Sequence, residues 1–182
     1  MKLGYFGLLA ALVLVGCAGD KGAAPTSYPA GFRLKSDNFS DGDKIPEANT
    51  CDDKGGSPHL AWENPPSGTQ SFALIVDDPD APRGTFTHWV LYNIPASVTY
   101  LPPTLPGLAG IVHTGEHGIN SAGTQAYVEP CPPSGTHHYY FKLYALDTLL
   151  DLASPPNSSE LTTAMKGHIL GQAVLMGTYQ RK

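Results

Sequence analysis

The sequence predicts an all-β fold: an antiparallel β-sandwich with a short C-terminal helix and long irregular loops. Three observations point there. Four β-rich segments, at 71–82, 86–95, 136–146 and 173–181, alternate with connections punctuated by Pro and Gly. One segment, near the C-terminus, carries a helical period. Helices do not alternate with strands, as a Rossmann fold or an α/β barrel requires.

The N-terminus stands apart from this pattern. Lys2 precedes an apolar run from Leu3 to Val15, which has the proportions of the apolar region of a signal peptide and is too short to cross a bilayer comfortably. Leu14-Val15-Gly16-Cys17 resembles the bacterial lipobox, in which the cysteine becomes the first mature residue and carries lipid. The competing reading is a plain secretory signal cut elsewhere, or a weak membrane anchor. Residues 1–16 are therefore expected to be a lipoprotein signal peptide. The stretch AGDKGAAPTS (18–27) has no apolar period, so 17–29 is read as the lipidated cysteine and a flexible tether, and 30–182 as one domain. Ala18, where Asp would mark retention in the inner membrane, tilts the expected location to the outer membrane of a bacterial envelope, facing the periplasm.

A net charge of −5 with no Lys/Arg cluster argues against nucleic acid as a partner. Besides Cys17 the chain has Cys51 and Cys131. In an oxidising compartment these are candidates for one disulfide. Two buried free thiols or one reactive thiol are the alternatives, and two cysteines alone cannot build a structural zinc site.

SFALIVDDPDAP (71–82) holds five apolar residues in a row and suits a strand buried on both faces. Pro79 and Pro82 end it, holding Asp78 and Asp80 at a strand mouth. Those carboxylates are read in two ways, as turn acceptors of backbone N–H groups or as fixed groups beside a pocket histidine. FTHWVLYNIP (86–95) is β-rich and stops at Pro95. In the stretch 136–146 alternation puts His137 on one face with Tyr139, Phe141 and Leu143, and His138 on the other. Diverging in this way, the two rings cannot clasp one metal. The helix is expected after Pro155-Pro156, with Ser158 or Ser159 as cap and Glu160 in the first turn. Leu161, Met165, His168 and Ile169 would share a face and Gly171 would stop it.

Two motifs suggest catalysis and are weighed against it. HTGEH (113–117) matches a zinc-peptidase pattern, which needs a helix to bring both histidines and the glutamate to one metal. Gly110, Gly115 and Gly118 leave no helical period, so a solvent-exposed loop is expected. Ser134 near His137 lacks the Gly-x-Ser-x-Gly elbow and sits in a Pro-Gly turn.

Five stretches in order, SPHLAW, SFALIVDDPDAP, THWVLYNIP, CPPSGTHHYYFKLYALD and LMGTYQR, resemble the phosphatidylethanolamine-binding protein family, nearest to its bacterial Raf-kinase-inhibitor-like branch. The resemblance runs from about residue 32 to 181. It implies a sandwich with a small anion pocket at one end, formed here by Asp78, Asp80, Pro82, His88, His137 and Tyr139, with Pro133 of the Cys-Pro-Pro turn beside them. His138 falls where the family usually has Arg, pointing away. One departure is Glu129, which stands where the family commonly has a pocket-lining glycine.

The function this implies is non-enzymatic: a lipid-anchored domain binding phosphate, a phospholipid headgroup or a similar small anion, with no cofactor. The alternative is a periplasmic protein–protein inhibitor of a protease or kinase-like partner, acting through an exposed surface such as the Gly- and Pro-rich loop 102–126. A hydrolase lacks a convincing nucleophile or metal site. The targeting reading has its own test. Cys17→Ser is expected to abolish incorporation of labelled fatty acid and leave an unprocessed or soluble product; a wild-type chain that takes up no label contradicts it.

Overall fold

A computed structural model describes residues 31–53, 55–104 and 114–182. The expected signal peptide, Cys17 and the expected tether, together with His113 and residues 105–112 of the long loop, lie outside them. The strands are β1 (Arg33–Lys35), β2 (Leu60–Glu63), β3 (Ser71–Asp78), β4 (Phe86–Pro95), β5 (Tyr100–Leu101), β6 (Glu116–His117), β7 (His137–Leu146) and β8 (Ile169–Tyr179). Among the described residues one α-helix, α1 (Ser158–Ala164), lies between β7 and β8, and one 3₁₀ turn spans Glu47–Asn49. All ladders are antiparallel. Three strands form a small sheet, β1-β2-β5, and five form a large one, β6-β4-β3-β7-β8. The all-β antiparallel fold expected from the sequence is the one found.

β3 lies at the centre of the large sheet, and every one of its residues is buried. Its side chains divide between two cores. Phe72, Leu74 and Val76 pack with Trp62 of the small sheet and with Phe141, Leu143 and Leu175 of the neighbouring strands. Ala73 and Ile75 face the other way, toward Leu161 and Met165 at α1 and toward Leu146 and Leu150. A strand covered on both faces cannot alternate apolar with polar, which is why SFALIV reads as an unbroken apolar run. The outer edge of β8 is closed in part by the 41–45 segment: Ile45 N–H donates to Thr178 O at 2.8 Å and Thr178 N–H to Asp43 O at 2.8 Å. This approach needs Gly177, since a Cβ there would stand 2.6 Å from Ile45 Cγ1 and 2.8 Å from Phe39 Cε2.

The helix differs from expectation at both ends. Its cap is Asn157 rather than Ser158 or Ser159. The Asn157 side chain accepts from Ser159 N–H at 2.9 Å and Glu160 N–H at 3.0 Å, while Glu160 Oε2 accepts the Asn157 N–H at 2.9 Å. It also ends at Ala164, and Gly167, at φ +83°, turns the chain back. Ile169 and Gly171, expected on the helix and at its stop, lie in β8 opposite Leu146 and Ala145. His168 leaves the helix face to bond Asp147 Oδ1 through Nδ1 at 2.8 Å. Strand pairing with β7 outweighs the local helical period. No helix among the described residues is long and apolar enough to cross a membrane.

Cys51 and Cys131 are joined in a disulfide, with Cα atoms 5.4 Å apart and a sequence separation of 80. Cys51 N–H also donates to Pro130 O at 3.1 Å. On the chain-entropy argument, closing a loop of this length removes about 4 kcal/mol of freedom from the unfolded state. The double variant Cys51→Ser/Cys131→Ser is accordingly expected to lose stability of that order in urea unfolding at an unchanged native fold. Equal midpoints for variant and wild type would contradict the contribution.

Candidate functional site

The site forms where β3 ends and β7 begins. Pro79 supplies no N–H to the ladder, so β3 stops at Asp78. Asp78 Oδ1 then accepts the backbone N–H of Asp80 at 2.9 Å, and Oδ2 accepts from His137 Nδ1 at 2.7 Å. The carboxylate thus serves both readings left open in the sequence: it caps a turn and it orients a histidine. Both partners are buried, at 4% exposed for Asp78 and 6% for His137. Along β7, His137, Tyr139 and Phe141 are buried while His138 and Tyr140 are half-buried, which is the alternation expected.

His88 arrives from β4. Its Nδ1 lies 2.8 Å from Val128 O, and its own carbonyl accepts the Val128 N–H at 3.0 Å. An Nδ1 facing a carbonyl must carry the proton, so Nε2 of the neutral ring is an acceptor. That Nε2 is buried with no hydrogen-bond partner among the described residues. Its ring meets those of Phe86 and Tyr139 edge-on, at 4.8 and 5.2 Å between centroids. Burial pushes the His88 pKa below the ordinary histidine value; the Val128 carbonyl, Asp78, Asp77 and Glu129 oppose that shift without overcoming it.

Tyr139 is fully buried, and its hydroxyl also has no partner of hydrogen-bond geometry among the described residues. Burial raises its pKa, and the nearby Asp78 carboxylate raises it further, so the phenol keeps its proton and is a donor. The Tyr127 hydroxyl is buried and unpartnered as well, its pKa raised by burial first and then by Glu129. Tyr127 escaped the sequence reading. The only signal for it is an aromatic residue two places before Glu129, which does not distinguish a pocket wall from core.

Not every expected pocket residue joins this group. Asp78, His88, His137 and Tyr139 come together. Asp80 does not, because its Oδ2 accepts both the backbone N–H and the Nδ1 of His138, at 2.8 and 2.7 Å. Those two bonds hold its carboxyl below the usual range. His138 does point away, as expected, and it takes Asp80 with it to the exposed rim. Pro82 and Pro133 are exposed there too, while Pro132 is buried. Glu129 is half-buried and leans on Gly55: a Cβ there would lie 3.3 Å from Glu129 Cδ.

The HTGEH segment forms no helix over its described part. Glu116 and His117 pair with β4. Glu116 accepts from Tyr92 Oη at 3.0 Å and Asn93 Nδ2 at 2.8 Å, and His117 Nδ1 accepts from Trp89 Nε1 at 3.3 Å. Among the described residues no group of three or more His, Cys, Asp or Glu side chains is placed to hold a metal. Ser134 is exposed in a bend before Gly135, at φ +72°.

Residues 35–180 match the family model described as Phosphatidylethanolamine-binding protein. A UPF0098 protein of Methanothermobacter thermautotrophicus is 46% identical over 150 residues, spanning 82% of this chain and 99% of that one. Another, from Aquifex aeolicus, is 46% identical over 153 residues, spanning 80% and 86%. Among solved structures, a phosphatidylethanolamine-binding protein homologue from Chlamydia trachomatis superposes with a TM-score of 0.77 at 38% identity, covering 84% of this chain and 99% of its own. Escherichia coli YbcL, described as a new member of the mammalian family, gives 0.75 at 30% identity, covering 84% and 100%. With this match across the domain and the same antiparallel fold, the chain belongs to the phosphatidylethanolamine-binding protein family.

Proposed function

We propose that this chain is a lipid-anchored, non-enzymatic binding domain of the bacterial envelope, taking a phosphate or phospholipid headgroup at Asp78, His88, His137 and Tyr139. The observation that carries the reading is a pair of buried polar atoms, His88 Nε2 and Tyr139 Oη, that have no partner of hydrogen-bond geometry among the described residues, on rings 5.2 Å apart beside the Asp78–His137 pair. A buried polar atom left without a partner costs about 1–3 kcal/mol, and a ligand that bonds it recovers that cost. Tyr139 offers an O–H to an anionic oxygen. His88 accepts from a protonated phosphate, or itself takes a proton and donates. Asp78 holds the His137 ring in one orientation. The residues include no arginine, so the capture is not bidentate and affinity is modest.

The pH dependence follows from the lowered His88 pKa. The free pocket keeps His88 neutral at neutral pH, and an anion beside Nε2 favours the imidazolium that burial disfavours. Binding is therefore linked to proton uptake and strengthens as pH falls below about 6.5, the ordinary histidine value. The free fold responds with the opposite sign. A histidine held neutral binds fewer protons when folded than unfolded, so its contribution to stability is full above that value and declines as pH falls toward the lowered one.

Calorimetry of the full chain with glycerophosphoethanolamine, whose phosphodiester charge is constant over this range, tests both the site and the linkage. Inorganic phosphate in parallel separates a headgroup from a free anion. His88→Ala and His137→Ala are each expected to weaken binding about tenfold, roughly 1.4 kcal/mol. His88→Ala should also flatten the pH profile. Binding that both substitutions leave unchanged would overturn the proposal. A second experiment concerns Glu129: Glu129→Gly removes a carboxylate that repels an anion in the site and is expected to tighten phosphate binding, because that repulsion outweighs the small support its charge gives the His88 imidazolium. Weaker binding in that variant would show that the carboxylate supports the site instead.

A further inference from the structure

On the face of the large sheet opposite the His88 site, a groove of about 450 Å³ opens between the sheet and α1. Its floor includes Ile75 and Asp77 of β3 with Lys142 and Tyr144 of β7. Strand alternation creates this arrangement, since Asp77 is the neighbour of Asp78 and must face the other way. Asp77 is 8% exposed, and an unpaired carboxylate at that depth would be costly. The protein satisfies it. Lys142 Nζ donates to Oδ2 at 2.9 Å and Thr87 Oγ1 to Oδ1 at 2.9 Å. The Thr87 and Ser158 hydroxyls are 3.0 Å apart, tying this floor to α1.

What remains on the groove's surface has a definite chemistry. Lys142 uses one of its three N–H donors on Asp77. Lys166, at the far wall, is exposed and its ammonium has no ion-pair partner among the described residues. Two ammonium groups against one carboxylate make the groove locally cationic in a chain whose net charge is −5. The rest of the wall is hydroxylic. Thr162 and Thr163 donate to the carbonyls of Ser158 and Ser159 at 2.7 and 2.9 Å, which leaves their oxygens as acceptors. Such a wall matches a polyol, and the half-buried Tyr144 ring supplies a less polar surface on which a sugar ring can rest.

We propose that this groove is a second ligand site, for a small anionic carbohydrate: a sugar carrying a phosphate or a carboxylate. The anion lies between Lys142 and Lys166, and the sugar hydroxyls bond Ser159, Thr162 and Thr163. The site is separate from the anion pocket and does not depend on that reading.

The test is saturation-transfer NMR and calorimetry on the full chain in detergent micelles, with glucose 1-phosphate, glucuronate, glucose and inorganic phosphate as probes. Binding of either sugar anion, more tightly than glucose or inorganic phosphate, is expected; the two anions distinguish the phosphate source from the carboxylate source. Lys166→Ala lies at an exposed position, and Lys142→Gln keeps a donor for Asp77, so both should fold. Each is expected to weaken binding about tenfold, whereas Tyr139→Phe, which keeps the buried ring of the other site and removes only its hydroxyl, should leave it unchanged. The proposal is overturned if neither sugar anion binds, or if glucose or inorganic phosphate binds as tightly. It is equally overturned if both lysine substitutions are silent, or if Tyr139→Phe abolishes binding.

Discussion

The contact between Asp78 and His137, 2.7 Å long and buried, holds the candidate site together. It joins the last residue of the central strand to the first residue of its neighbour, 59 positions away. A buried carboxylate is tolerable only with partners, and Asp78 has two, the His137 ring and the Asp80 backbone. Its neighbour Asp77 meets the same requirement on the opposite face with Lys142 and Thr87. Two adjacent aspartates therefore anchor two separate polar surfaces, one on each side of a sheet whose centre is entirely apolar.

The second wall of the candidate site depends on a different constraint. Segment 127–131 has no regular structure, yet it supplies the carbonyl that fixes the His88 tautomer and the buried Tyr127. It is held by reciprocal backbone bonds between Val128 and His88, by the Cys51–Pro130 bond and by the disulfide. The covalent link stabilises the fold and, through its position, keeps Val128 in reach of His88. Glu129, placed between these fixed points and leaning on Gly55, brings a negative charge near the His88 ring. The relatives share the fold, but fold alone does not assign a ligand, so the functional argument rests on the orphaned Nε2 and hydroxyl.

Much of this architecture was legible in the residues, for physical reasons that can be named. β4 spans the stretch read from the sequence because Pro95 can end a strand but not extend its ladder. The period of two placed His137 and Tyr139 together and His138 apart, and burial in the structure follows it. What escaped was decided by distant partners. Ile169 and Gly171 fit a helical face locally, yet pairing with Leu146 and Ala145 makes them strand. Asp80 stands in the motif beside Asp78, but the exposed His138 captures its carboxylate. The α1 groove left no motif at all, since its lining comes from β3, β7 and the α1 segment, which only the packed sheet brings together.

The central claim is that His88 stands neutral, protonated on Nδ1, with Nε2 free for a ligand. Nitrogen-15 NMR of the histidine rings in the full chain reads this state directly. The account predicts an Nδ1–H tautomer for His88, a titration below the ordinary histidine value, and a shift of the Nε2 resonance when glycerophosphoethanolamine is added. An Nε2–H tautomer, or an Nε2 resonance that the ligand does not move, would contradict it.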